Sequence, residues 1–225
     1  MRIACQVSLL TAATLWPGSL FSQTSRKPQT DIVERLLLRD YPPKVASLKP
    51  DERTAAVKEL EAARAYATGK RSQEIVFLLA ALGSDYARNR DELINLCTPE
   101  RRDACDEDTA ELLIGLYESG HREVLQPLLT MGPHSDAALA ETLGEFYGDL
   151  LSRRPLEFLT AIRPTAVRIQ SDLCLLAGGE DGSGMPPNDL KQVREQLKHL
   201  GDDVALRCLE QIETVNKQIE KDNTP

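Results

Sequence analysis

Apolar residues recur at three- and four-residue spacing over most of this chain, and that pattern predicts helices. In the stretch 135–153, Leu139, Leu143, Phe146, Tyr147 and Leu150 fall on one helical face, with Ser135 the expected N-cap. Behind Asn188 as a cap, Leu190, Val193, Leu197 and Leu200 do the same. From Asp51, Ala56, Leu60, Ala63 and Ala67 form a stripe that Gly69 closes. Ile75 to Leu82 is apolar without a break, which fits a central, buried helix. Its Leu and Ala content favours helix over strand, and "SQEIVFLLAALGSDYARN" reads as one segment. Further helices are expected at Asp31–Asp40, from Asp108 to Gly120, from His121 to Pro133, over "PLEFLTAIRP" and "AVRIQSDLCLLAG", and from Asp203 to Lys221. No stretch alternates with period two. The expected fold is all-α, either stacked helical hairpins or an irregular helical bundle, with a Gly/Pro-rich loop at 178–188.

The amino terminus departs from this pattern. Arg2 precedes an uncharged apolar run over 3–16, then Pro17, Gly18 and the small residues Ser19 and Ser22. That is the layout of a secretory signal peptide, too short to span a bilayer as a helix. Residues 1–23 are therefore expected to be removed. A flexible leader at 24–30, a single domain at 31–221 and a disordered tail at 222–225 should follow. Cys5 has only four residues before it, too few for a lipid-anchored cysteine. The protein is expected to be secreted or periplasmic, without membrane insertion once the signal is gone.

Export changes the meaning of the cysteines. Without Cys5 four remain, Cys97, Cys105, Cys174 and Cys208, and an even count in an exported chain predicts disulfides. Three connectivities are open. The expected one is Cys97–Cys105 and Cys174–Cys208, because "CTPERRDAC" suits a surface loop between helices. Cys208 shares a stripe with Ala205, Ile212, Val215 and Ile219. In the loop-entropy model such bridges contribute about 2.5 and about 4 kcal/mol. The spacings do not match the paired C-x2-4-C of a zinc site, and no C-x-x-C motif is present.

Three stretches resemble one another: "LLAALGSDYARNRDELINLCTP", "ELLIGLYESGHREVLQPLLTMGP" and "ETLGEFYGDLLSRRPLEFLTAIRP". Each has an apolar helix with a tyrosine (Tyr86, Tyr117, Tyr147), a polar turn with an arginine, a second apolar helix and a proline (Pro99, Pro133, Pro164). Leu143, Gly144 and Tyr147 resemble the Leu-Gly-x-x-Tyr signature of tetratricopeptide helices. The resemblance to tetratricopeptide and HEAT-type proteins implies an α-solenoid, in which helix pairs bury their apolar faces by stacking. The glycine four residues after the tyrosine and the alanine of the second helix are absent here.

The formal charge of −8 argues against nucleic acid and anionic lipid as partners. Aromatics make up 4%, and the one tryptophan, Trp16, lies in the expected signal, which disfavours sugar binding and base stacking. Chemistry has few footholds. Glu118-Ser119-Gly120 resembles the catalytic motif of periplasmic lytic transglycosylases, which implies Glu118 as a general acid. That family's Gly-Leu-Met-Gln segment and later Ala-Tyr pair are missing, and the plainer reading is a solvated helix end. His121, His134 and Glu123 could in principle bind zinc but read as surface residues near helix ends. Glu180, Asp181 and Asp189 offer oxygens to calcium without EF-hand spacing, so a linker is the better reading. Walker, dinucleotide and G-x-S-x-G motifs are absent. The expectation is an exported, cofactor-free helical protein that acts by binding, with protein as the partner; its oligomeric state is open. The alternative is a cell-wall hydrolase using Glu118.

Overall fold

The computed structural model describes Glu34, Leu36 and residues 48–97, 105–179 and 184–222. The expected signal peptide and leader lie outside these residues, as do most of the helix expected at Asp31–Asp40, Glu180, Asp181 and the last three residues of the tail. Glu34 and Leu36 are helical, and among the described residues ten α-helices have both ends in view: α1 (Pro50–Arg64), α2 (Lys70–Ala81), α3 (Tyr86–Leu96), α4 (Glu107–Glu118), α5 (Leu125–Met131), α6 (Ala137–Arg153), α7 (Pro155–Ile162), α8 (Val167–Ala177), α9 (Pro187–Leu200) and α10 (Asp203–Asp222). Short 3-10 turns at Arg122–Val124 and Gly132–His134 flank α5. No strand occurs among the described residues, and the protein is all-α.

The periodic stripes face inward as their spacing predicts. On α6, Leu139, Leu143, Phe146, Tyr147 and Leu150 are all buried. The apolar run in α2 is buried from Ile75 to Ala80. On α10, Ala205, Cys208 and Ile212 are buried, while Val215 and Ile219 are half-buried and Asn216 takes the buried place beside them.

Even-numbered helices form a row in which α2 packs on α4, α4 on α6, α6 on α8 and α8 on α10. Odd-numbered helices cover it, α3 against α2, α5 against α4, α7 against α6 and α9 against α10. The described residues belong to one compact unit, Asp31–Pro225.

Two helices of the row end in the same way. At the end of α2, Gly83 sits at φ 78°, its N–H bonds to Ala80 O, and Ser84 N–H bonds to Leu79 O (both 2.9 Å). At the end of α4, Gly120 sits at φ 108°, its N–H bonds to Tyr117 O, and His121 N–H bonds to Leu116 O (3.0 and 3.1 Å). Both are Schellman stops, which need a left-handed residue and so favour glycine.

The first of these stops corrects the sequence reading. "SQEIVFLLAALGSDYARN" is two helices, because the chain reverses through Gly83 and through Asp85 at φ 42°. Tyr86 therefore opens α3 instead of riding on the apolar helix, and it is not the counterpart of Tyr117. Aligned on their glycine stops, position 86 matches position 123. Two cap assignments also move by one or two residues. Asp136, not Ser135, caps α6 by accepting the Leu139 N–H (3.2 Å), and α9 starts at Pro187 behind Pro186. A proline in the first turn has no N–H to leave unpaired, so Asn188 is not needed as a cap.

Tyr147 is the largest fully buried side chain, and its hydroxyl donates to Leu128 O at 2.6 Å, tying α6 to α5. Burial holds its phenol far above the usual tyrosine range, so it stays a donor. Tyr147→Phe keeps the ring and orphans that contact. A loss of about 1–2 kcal/mol is expected, read as a lower urea midpoint at unchanged slope.

Candidate functional site: a groove along α4 and α6

The helical period places Glu111, Ile114, Tyr117 and Glu118 on one face of α4, and Thr142, Glu145, Phe146, Asp149 and Arg153 on one face of α6. These faces line an open groove of about 700 Å³. Its third wall comes from the far end of the chain: Ala177, Gly179, Gly184, Met185, Pro186 and Asp189. Gly144 and Gly148 set that wall's distance. A Cβ on either would lie 3.1 Å from a carbonyl oxygen, that of Leu176 or of Ala177, so the end of α8 comes close to the backbone of α6.

Buried Asn216 fixes the wall. Its amide nitrogen donates to Gly178 O and Ile212 O (2.9 Å each), and its amide oxygen accepts the Met185 N–H (3.1 Å). One α10 side chain thus holds both ends of the Gly-rich loop.

The floor of the groove is apolar, with Phe146, Leu150 and Met185 buried and Ile114 half-buried. The Tyr117 and Phe146 rings meet edge to face at 5.2 Å. The rim is charged and uneven. It carries five carboxylates (Glu111, Glu118, Glu145, Asp149, Asp189) and three guanidiniums (Arg122, Arg153, Arg154).

All three guanidiniums already have anionic partners. Arg153 pairs with Asp149 (3.0 Å), while Arg122 and Arg154 share Glu157 (4.0 and 3.6 Å). Tyr117 donates its hydroxyl to the same Glu157 (2.6 Å), and Arg122 lies over the Tyr117 ring at 4.3 Å. Burial first, and then the Glu157 hydrogen bond, hold the Tyr117 phenol above its ordinary range. Glu111, Glu118, Glu145 and Asp189 form no ion pair or side-chain hydrogen bond among the described residues. Burial is the main cause that raises the Glu111 carboxyl above the usual carboxylate range, followed by the charges of Asp108 and Glu107, with Glu145 adding to them.

A related constellation lies one hairpin earlier. Tyr86 donates to Glu123 (2.5 Å), Arg90 lies over the Tyr86 ring at 5.4 Å, and His121 stacks on that ring at 4.2 Å. In both cases a tyrosine hydroxyl on one hairpin meets a glutamate of the next, and an arginine covers the ring.

Cys97 is joined to Cys105, linking the end of α3 to the approach to α4, and Cys174 to Cys208, linking α8 to α10. Glu118 is the last residue of α4; it is exposed and lines the groove. Ser119 returns its hydroxyl to Gly115 O (2.8 Å). His121 serves the Tyr86 stack, with Nδ1 4.0 Å from Glu123, and His134 is exposed on a different turn. Among the described residues no group of three His, Cys, Asp or Glu side chains is placed to hold a metal, and no helix is long and apolar enough to cross a membrane. Asp189 lies in the first turn of α9, on the groove rim.

Sequence reasoning missed the groove and Asn216. The one available signal for Asn216 was a polar residue beside an otherwise apolar stripe. Comparison with protein-family models, with curated proteins and with solved structures found no match to this chain.

Proposed function

We propose that this protein is exported and acts without catalysis, taking an extended segment of a partner protein into the α4–α6 groove. The carrying observation is the groove itself: an apolar, aromatic-bearing floor framed by a charged rim, which is the anatomy of a protein interface. Its volume lies in the range of pockets that enclose several side chains. Two disulfides support an oxidising compartment, and the secretory pattern at residues 1–23 agrees with export. The repeated hairpins and their resemblance to α-solenoid proteins, which commonly bind along stacked helices, fit the same reading.

A catalytic reading would place Glu118 at the centre. A general acid of that kind needs an apolar surround to hold its proton at neutral pH, and Glu118 is exposed. Loss of a cell-wall-cleaving activity in Glu118→Gln would nevertheless assign catalysis to it.

The groove reading is tested by blocking it. Thr142 is half-buried on the α6 wall, and Thr142→Arg puts a long side chain into the groove without emptying the core. Peptides selected from a random display library on the wild-type protein should bind the variant roughly tenfold or more weakly, a change of about 1.4 kcal/mol per decade. Its melting temperature should barely move. Peptides that bind both proteins equally would remove the groove from the function.

A further inference from the structure

We infer that the segment taken by the groove is basic, carrying lysine or arginine beside apolar side chains. This rests on the groove being a docking site and specifies what it selects.

Charge complementarity selects a basic occupant. The rim has five carboxylates to three guanidiniums; Arg153 pairs with Asp149, while Arg122 and Arg154 share the one carboxylate of Glu157, so one positive charge is left against the four remaining carboxylates and the balance stays negative. What remains along the cavity without an ion pair or a side-chain hydrogen bond among the described residues is Glu118, Glu145, Asp189 and Glu111. They stand on three separate walls, α4, α6 and the start of α9, so an extended occupant meets negative charge along its length. The floor between them takes apolar side chains on Phe146, Leu150 and Met185. An acidic segment would bring like charges together over this apolar floor, which costs more than the same contact in open water. A neutral segment would cover the carboxylates and replace their hydration with nothing.

The local field points the same way. Burial first, and then Asp108 and Glu107 on its own helix, hold the Glu111 carboxyl high, with Glu145 from α6 adding to them and Lys70 from α2 acting against them. A cation docked beside it would draw that carboxyl back down, so binding releases protons and tightens as pH rises through the carboxylate range.

The experiment uses the same display selection on the whole mature protein. Selected peptides should be enriched in lysine and arginine. Their affinity should fall roughly tenfold in the Glu118→Gln/Glu145→Gln/Asp189→Asn protein at low ionic strength, and by a similar factor when salt is raised over wild type. These substitutions touch no core side chain, and a melting curve confirms the fold.

Neutral or acidic peptides that are still lost on Thr142→Arg would overturn the charge inference and leave the groove in place. A selection whose peptides ignore Thr142→Arg, or that yields none for wild type over that variant, would overturn both.

Discussion

Replacing Cys174 and Cys208 together by alanine should lower the folding stability by about 4 kcal/mol in the loop-entropy model. Both cysteines are about 1% exposed, and they join α8 to α10 across a sequence separation of 34. Opening this link returns a long loop's entropy to the unfolded chain and leaves two small gaps in a packed interface. For a domain of this size the shift corresponds to a melting temperature lower by on the order of 10 °C. Removing the Cys97–Cys105 link should cost less, about 2.5 kcal/mol, because its separation is 8. Thermal melts of the two double variants, both under oxidising conditions, check the ranking. Equal effects would show that loop length is not what governs these staples.

The second large effect is expected at Asn216. Asn216→Leu keeps the size of the side chain but strands the buried Gly178 carbonyl and Met185 N–H, each at about 1–3 kcal/mol. The total loss should be about 3 kcal/mol, measured as a lower urea midpoint. It should also weaken binding of groove-selected peptides, since Met185 forms part of the floor that Asn216 holds in place. The two readouts separate its roles. A stability loss without an affinity loss would mean that the 178–185 segment does not shape the site. Near-zero loss in both would mean that the loop holds itself, through contacts such as the close approach of Gly179 to Gly184.

The helices were largely legible because their stripes are long. Leu139 to Leu150 on α6 and Leu190 to Leu200 on α9 keep period over several turns, and such patterns resist one wrong residue. The break after α2 was not read although Gly83 is a stop signal of the kind read at Gly69, because the apolar and polar residues on either side of it keep a helical pattern. What decided it was a left-handed glycine followed by a left-handed aspartate, a backbone property that sequence spacing does not display. The nearest-neighbour cysteine pairing followed from loop composition and from a stripe that put Cys208 inward. The groove was illegible for a different reason. Its walls come from positions 111–122, 142–154 and 177–189, and no local window contains their charges together. Glu118 was singled out for a possible catalytic role, and only the rim around it shows that its companions are other carboxylates without ion pairs.

The row from α2 to α10 has an uneven distribution of covalent restraint. One cross-link ties α3 to the approach to α4, the other ties α8 to α10, and α5, α6 and α7 lie between them with none. Those middle helices carry the α6 wall and support the α4 wall. Local opening there would need no covalent bond to break, so its resistance rests on buried packing such as that of Tyr147 and Phe158. If the groove takes a partner segment as proposed, any adjustment of its width falls to these uncrosslinked helices, against the close packing of Tyr147, Gly144 and Gly148.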